Sequence, residues 1–431
     1  MNDLSRRSLA AIWHPCTQMA RAAQVPPLPI VRGQGAWLYD AEERRYFDAN
    51  SSWWVNLFGH ADARINAAIK HQLDTLPHVM LAGCTHEPAV RLAERLSMRT
   101  RAALGHCFFA SDGASAVEIA LKQSFHSWRN LGRESKREFV CLRNGYHGET
   151  IGALAVTDVQ IFRDAYDPLL MRAHIVESPD ERLGNEEQAL AAMRALLESR
   201  SAHIAAVIVE PLIQGAAGMV MHSPRYLRAL RAICTEFEVH LIADEIAVGC
   251  GRTGTFFAWE QTGAAWPDFI TLSKGITAGT LPLSLVLTTE AVYQTFWSDD
   301  VTRGFLHSHS YTGNALACAA ANAVLDRFDE GLTQSIAAQA ELLRQAFAGL
   351  AGDNRVQHWR QRGLVLAFDV KQPAPRFAEA FHLAAREREL LIRPIGGTVY
   401  LMPPYLIDAP TAQWLASTVL ATLNDIALHV D

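Results

Sequence analysis

The chain has 431 residues, of which 49% are hydrophobic and 19% charged, with a formal net charge of -6. That balance excludes a disordered chain and gives no sign of a nucleic-acid partner, and no apolar run reaches the ~18 residues of a membrane span. The 7 cysteines are scattered, with no CxxC pair and no His-rich cluster, which argues against a disulfide framework or a metal site and predicts reduced thiols in the cytoplasm.

In chain order, the opening MNDLSRRSLAAIWHPCTQ lacks the apolar core of a secretory signal. Gly33–Asp48 reads as a hairpin, followed by the aromatic loop SSWWVNLFGH. Six apolar runs then predict strands at His106–Ala110, Glu138–Leu142, Ile204–Val209, Val239–Ala243, Asp268–Leu272 and Leu283–Thr288. Continuous apolar runs are what strands buried on both faces require. Helical patterns such as Ala114–Trp128 and Glu187–Ser199 lie between them, so the alternation predicts an α/β domain with a mainly parallel sheet. From about Asp326 the pattern is helix, strand (Gly363–Val370), helix, hairpin (Leu391–Met402) and helix. The expected organisation is a large domain of residues 66–325. A smaller α+β domain joins the two ends, 1–65 and 326–431.

The segment Leu241–Gly279 carries the chemistry. One apolar strand ends in Asp244, and thirty residues on (274 − 244) a second ends in Lys274. Ligands of open α/β sheets sit at the carboxyl ends of strands, so the pair aims an acid and an amine into one crevice. Pyridoxal 5′-phosphate needs both: a lysine to form a Schiff base with its aldehyde, and a carboxylate to keep its ring nitrogen protonated. Taken singly, a strand-end acid and a surface lysine are ordinary. Gly249, Gly251 and Gly254 spell GxGxxG, but Phe256, Phe257 and Trp259 follow in place of a helix start, and the dinucleotide reading is rejected. Ser111-Asp112-Gly113-Ala114-Ser115 lies between a strand and an amphipathic helix, where free N–H groups and the helix dipole favour a phosphate. Its plain reading is an N-cap. Asn144–Gly148 follows another strand and offers Tyr146, whose ring suits stacking on an aromatic cofactor; otherwise it is a turn tyrosine.

The run D-E-I…G-R-T-G…D-F-I-T-L-S-K resembles the signature of class III aminotransferases. With Trp13-His14-Pro15, Ser51-Ser52-Trp53-Trp54, Ile392-Arg393-Pro394 and Tyr400-Leu401-Met402-Pro403-Pro404-Tyr405, the chain is similar, along nearly its whole length, to the diaminopelargonic acid aminotransferases of biotin synthesis. The resemblance implies an aminotransferase fold and pyridoxal 5′-phosphate. It implies that Lys274, Asp244 and Tyr146 are catalytic, and that Gly113 and Ala114 hold the cofactor phosphate. It implies a homodimer with shared active sites, in which the loop carrying His309 and Ser310 reaches the cofactor phosphate of the partner subunit. Trp53, Trp54, Ser308 and Cys16, with Tyr146 and Lys274, would meet substrate, and Arg393 would take a carboxylate bidentately. The implied substrates are 7-keto-8-aminopelargonate and, as amino donor, S-adenosylmethionine.

Ala216 stands where enzymes for terminal amines such as ornithine carry a glutamate after E-P, which disfavours those substrates. Two positions depart from the pattern: Cys16 replaces the usual aromatic after WHP, and Ser308-His309-Ser310 replaces G-P-T. Three alternatives remain: an aminotransferase for another ω-amine or diamine, a mutase moving an amine within one molecule, and a binding protein without turnover. Intact Lys274, Asp244 and Arg393 disfavour the last.

Overall fold

The computed structural model describes residues 1–427. Its centre is a seven-stranded sheet, in the order His106–Ala110, Ser284–Thr288, Phe269–Leu272, His240–Asp244, Ile204–Val209, Glu138–Leu142 and His174–Val176. Ser284–Thr288 runs antiparallel to both neighbours and the other strands are parallel. The fold class is therefore the expected one, and all six expected strands form, some with ends shifted by one residue. The edge strand His174–Val176 escaped notice because three residues with a leading histidine make no apolar run.

Alternation along each strand feeds two cores. Leu241 and Ala243 join one apolar cluster, while Ile242 between them joins the other with Ala116, Val117 and Ile119 of the helix Gly113–Asn130. Side chains on a strand alternate faces, and each buried Leu or Ile contributes about 1.5–3 kcal/mol. The parallel strands share a carboxyl edge. Asp244, Lys274, Glu210 and the loops at 111–115 and 144–148 all leave the sheet there.

The chain ends meet in a second sheet. Ile30–Gln34, Trp37–Asp40 and Arg45–Asp48 form an antiparallel meander, and Leu390–Leu391 adds to it in parallel beside Arg45–Asp48. The single hairpin expected at Gly33–Asp48 is thus three strands. Asp40 makes the second turn: its carboxylate accepts from the backbone N–H groups of Glu42 and Arg44 at 2.9 and 3.0 Å, a side-chain mimic of a backbone turn.

The hairpin expected at Leu391–Met402 does not form. Its first arm joins that second sheet. Its second arm, Thr398–Leu401, pairs with Val365–Val370, itself paired with Val356–Arg362. Only an isolated bridge, Ile395 to Thr398, links the arms. Pro394 supplies no N–H and holds the residue before it extended, and the Arg393 N–H is taken by Asn50 Oδ1 at 2.7 Å. Among the described residues no helix is long and apolar enough to cross a membrane, and all seven cysteines are free.

Candidate active site

At the sheet edge Asp244 is 4% exposed and fully engaged. Its Oδ2 lies 2.7 Å from His147 Nδ1. Its Oδ1 accepts from the Ile246 N–H and the Thr271 hydroxyl, each at 3.1 Å. The register makes the last contact, because Asp244 and Thr271 are partners on parallel strands. His147 and Thr271 were not singled out from sequence, although His147 follows Tyr146 in the quoted motif and Thr271 is three residues before Lys274.

Lys274 begins the short turn after the strand Phe269–Leu272, with φ +44°. Its Nζ is 5.1 Å from the Trp54 ring centroid. Burial pushes its pKa down, against the pull of Asp244 and Glu210, so the amine and the acid share one environment, as the spacing predicts.

Trp54 belongs to an unusual turn. Ser51, Ser52, Trp53 and Trp54 all have φ between +47° and +72°, a left-handed turn without glycine. Such a conformation costs roughly 1–2 kcal/mol per residue and persists only where the surroundings impose it. Asp48 accepts from the Ser52 N–H and hydroxyl at 2.8 and 2.7 Å. The Ser51 hydroxyl donates to the Met402 carbonyl at 2.7 Å, and the Trp54 ring N–H to the Tyr400 hydroxyl at 3.0 Å. The buried Arg252 guanidinium donates to the carbonyls of Asn56 and Pro403 at 2.7 and 2.6 Å. The motifs SSWW, GRTG and YLMPPY, far apart in sequence, are therefore one structure.

The turn buries Trp54 and leaves Trp53 50% exposed. The Arg393 guanidinium leans on the Trp53 ring, 5.8 Å from its centroid. Cys16 and Glu149 sit close by: partial desolvation and Glu149 push the Cys16 thiol pKa up, and Arg393 pulls it down. The Tyr146 hydroxyl donates to Glu149 Oε1 at 2.8 Å; burial, with that acceptor, pushes its pKa well up. Glu149 is thus a fourth member of the mouth formed by Cys16, Tyr146 and Arg393, and sequence reasoning passed over it.

The helix Gly113–Asn130 is capped by Asp112, whose side chain accepts from the Ser115 N–H at 2.9 Å. That leaves the N–H groups of Gly113 and Ala114, which have no partners within the helix. A Cβ on Gly113 would come within 3.1 Å of Ile246, next but one to Asp244, so the cup and the acid adjoin. The loop Ser308-His309-Ser310 makes its hydrogen bonds outside that cup. His309 Nε2 is 3.2 Å from His307 Nε2, and the Ser310 carbonyl is 2.9 Å from His78 Nε2. None of their hydrogen bonds goes to Lys274, Asp244, Tyr146, Gly113 or Ala114. At the GxGxxG run no α-helix opens; a short 3-10 turn, Ala258–Thr262, follows, and the buried Glu245 accepts its first two N–H groups at 2.8 and 2.7 Å.

A sheet with a buried acid and a half-buried amine at its carboxyl edge, flanked by a helix N-terminus and an aromatic turn, defines a class. The model of the aminotransferase class-III family matches residues 18–423. The chain belongs to the class III aminotransferases. It is 44% identical to the adenosylmethionine-8-amino-7-oxononanoate aminotransferase of Helicobacter pylori, covering 98% of both chains. It is 39% identical to the enzyme of that name from Anoxybacillus flavithermus, covering 94% of this chain and 92% of the relative. Among solved structures, the enzyme of that name from Methanocaldococcus jannaschii superimposes with a TM-score of 0.93 at 33% identity, covering 98% of both chains. An amine transaminase from an uncultivated Pseudomonas species, in its PLP-bound form, gives 0.90 at 30% identity, covering 96% of this chain and 98% of the other.

Proposed function

We propose that this chain transfers an amino group to 8-amino-7-oxononanoate, the 7-keto-8-aminopelargonate of biotin synthesis, giving 7,8-diaminopelargonate, with S-adenosylmethionine as donor and pyridoxal 5′-phosphate as cofactor. The observation that carries this reading is the 44% identity to the Helicobacter enzyme over 98% of both chains, together with the aromatic turn and Arg393 at one mouth.

The residues present fit the cofactor. The fully oriented Asp244 carboxylate suits a protonated ring nitrogen, the Lys274 amine an aldehyde, and the N–H groups of Gly113 and Ala114 a phosphate. When bound, pyridoxal phosphate supplies the electron-accepting ring on which the amino group changes carriers. Lys274 is then the base that takes the proton from the donor carbon and the acid that returns it. Tyr146 provides a ring wall and Trp53 with Trp54 an apolar channel for an aliphatic chain. Arg393 takes the far carboxylate; among the described residues only its backbone N–H is engaged in a hydrogen bond.

The active unit is a homodimer. Leu306 is 78% and Tyr311 65% exposed on either side of Ser308, His309 and Ser310, an arrangement suited to cover by a second copy. Across that contact the loop would complete the shell of the phosphate of the partner subunit.

The test supplies 7-keto-8-aminopelargonate as acceptor, varies the donor and reads 7,8-diaminopelargonate by mass spectrometry. Product with S-adenosylmethionine supports the whole reading. Product with another ω-amine and pyruvate, and none here, would move the chain to a different class III activity.

A further inference from the structure

Glu210 lies one residue beyond the strand Ile204–Val209, at the same sheet edge as Asp244 and Lys274. It is 5% exposed. Its two oxygens hold two different walls of the site. Oε2 accepts from the Tyr146 N–H and Oε1 from the Gly215 N–H, each at 3.0 Å. Tyr146 is the aromatic of the Asn144–Gly148 loop. Gly215 lies under Trp54: a Cβ built there would approach the Trp54 ring to 3.0 Å. One side chain thus ties the tyrosine loop to the floor of the tryptophan that faces Lys274.

We propose that Glu210 is a positioning residue of the transamination site, setting the Tyr146 and Trp54 walls and placing a second carboxylate at the sheet edge that carries Lys274. This rests on the function proposed above and deepens it. Two converging N–H donors need two acceptor oxygens, which a carboxylate offers and a carboxamide does not. A buried carboxylate is costly, and here the charge has partners. The two N–H groups partner its oxygens, and its own carbonyl accepts from His222 Nε2 at 3.0 Å. Burial raises its pKa to about 7, while His147 and the two N–H groups pull the other way. Lys274 in turn feels both Asp244 and Glu210 as charges that hold a proton on its nitrogen.

The test is a pH titration of the visible absorbance of the cofactor-loaded enzyme, with wild type, Glu210→Gln and Glu210→Asp, alongside KM for the keto substrate. The absorbance follows the proton on the Lys274 nitrogen in its linkage to the cofactor. Removing a nearby negative charge makes that proton easier to lose. Glu210→Gln should therefore lower the midpoint by about one pH unit, since an opposite charge lining the same site shifts a pKa by about 1–3 units. Glu210→Asp keeps the charge but cannot span both N–H groups, so it should keep the midpoint and raise KM. A loaded Glu210→Gln enzyme with an unchanged midpoint overturns the proposal. If that variant does not fold, an unchanged KM in Glu210→Asp overturns it. A wild-type protein with no coloured lysine linkage would instead overturn the proposed function.

Discussion

His147 Nδ1 lies 2.7 Å from Asp244 Oδ2, and both side chains are buried, at 3% and 4% exposure. The contact leaves Asp244 little rotational freedom, since its other oxygen is held by Ile246 and Thr271. An acid fixed in this way interacts with a ring nitrogen without reorganising. Electrostatic contributions of that kind are worth about 3 kcal/mol, or roughly a hundredfold in rate. Asp244→Asn keeps the shape and removes the charge, and should slow single-turnover transamination at least that much. A variant within about tenfold of wild type, a cost near 1.4 kcal/mol, would show that the charge is not used.

Lys274 should carry the covalent link. Borohydride reduction followed by tryptic mapping should place the label on Lys274, and Lys274→Ala should show neither label nor transamination. A label on Lys122 or Lys136, which lie in and just beyond the helix Gly113–Asn130, would overturn the assignment.

Arg393 is exposed and rests on the Trp53 face, so its guanidinium can form a bidentate contact. Hydrogen bonds to charged groups contribute about 1.5–3 kcal/mol. Arg393→Ala should raise KM for the keto acid by roughly ten- to a hundredfold. A shorter acceptor without the carboxylate should lose its dependence on this residue. Equal losses for both acceptors would show that the arginine supports the fold of the mouth.

The acid–amine pair was legible in sequence because two strand ends thirty residues apart fix their relation: once the strands are parallel neighbours, Asp244 and Lys274 must share an edge. The left-handed turn at Ser51–Trp54 was not legible. Its cause is Asp48, Met402, Tyr400 and Arg252, and three of those four lie about 200 to 350 residues away, beyond any local propensity. The expected hairpin at Leu391–Met402 failed for the same kind of reason: each arm found a better partner in a different sheet. Glu210 was visible only as the start of E-P, since nothing local says that its oxygens reach Tyr146 and Gly215.

Two buried histidines set a pH limit on stability. His240 is stacked on Trp128, with ring centroids 4.3 Å apart, and lies 2.9 Å from the Ser124 hydroxyl; burial pushes its pKa down to about 4. Burial does the same to His222, also to about 4. Unfolded, both titrate near the ordinary value of about 6.5. Between about pH 6.5 and pH 4 the unfolded chain binds more protons, so stability falls as pH falls through that window. Urea unfolding at about pH 7 and about pH 5 should show the loss, and His240→Asn should reduce the difference between the two. An unchanged difference would mean that His240 takes up its proton without unfolding the chain.

Cys16 bears on the proposed donor. It sits in the left-handed region at φ +47°, exposed, and feels both Glu149 and Arg393, so it faces the substrate mouth. The resemblance implies an aromatic at this position, lying against the adenine of S-adenosylmethionine. Stacking of a base on an aromatic contributes roughly 1–3 kcal/mol, and a thiol offers no such face. Two rings are available to take its place, since Trp13 is 80% and Trp53 50% exposed. Donor binding should therefore persist with a raised KM. Cys16→Tyr should lower the KM for S-adenosylmethionine by about tenfold, a factor worth near 1.4 kcal/mol, while the KM for the keto acid moves less. The measurement is a pair of half-reactions, each with one substrate in excess. An unchanged donor KM, or a blocked site, would show that residue 16 is not an adenine shelf in this protein. Turnover with lysine and none with S-adenosylmethionine would overturn the donor and leave the acceptor and the Lys274 chemistry standing.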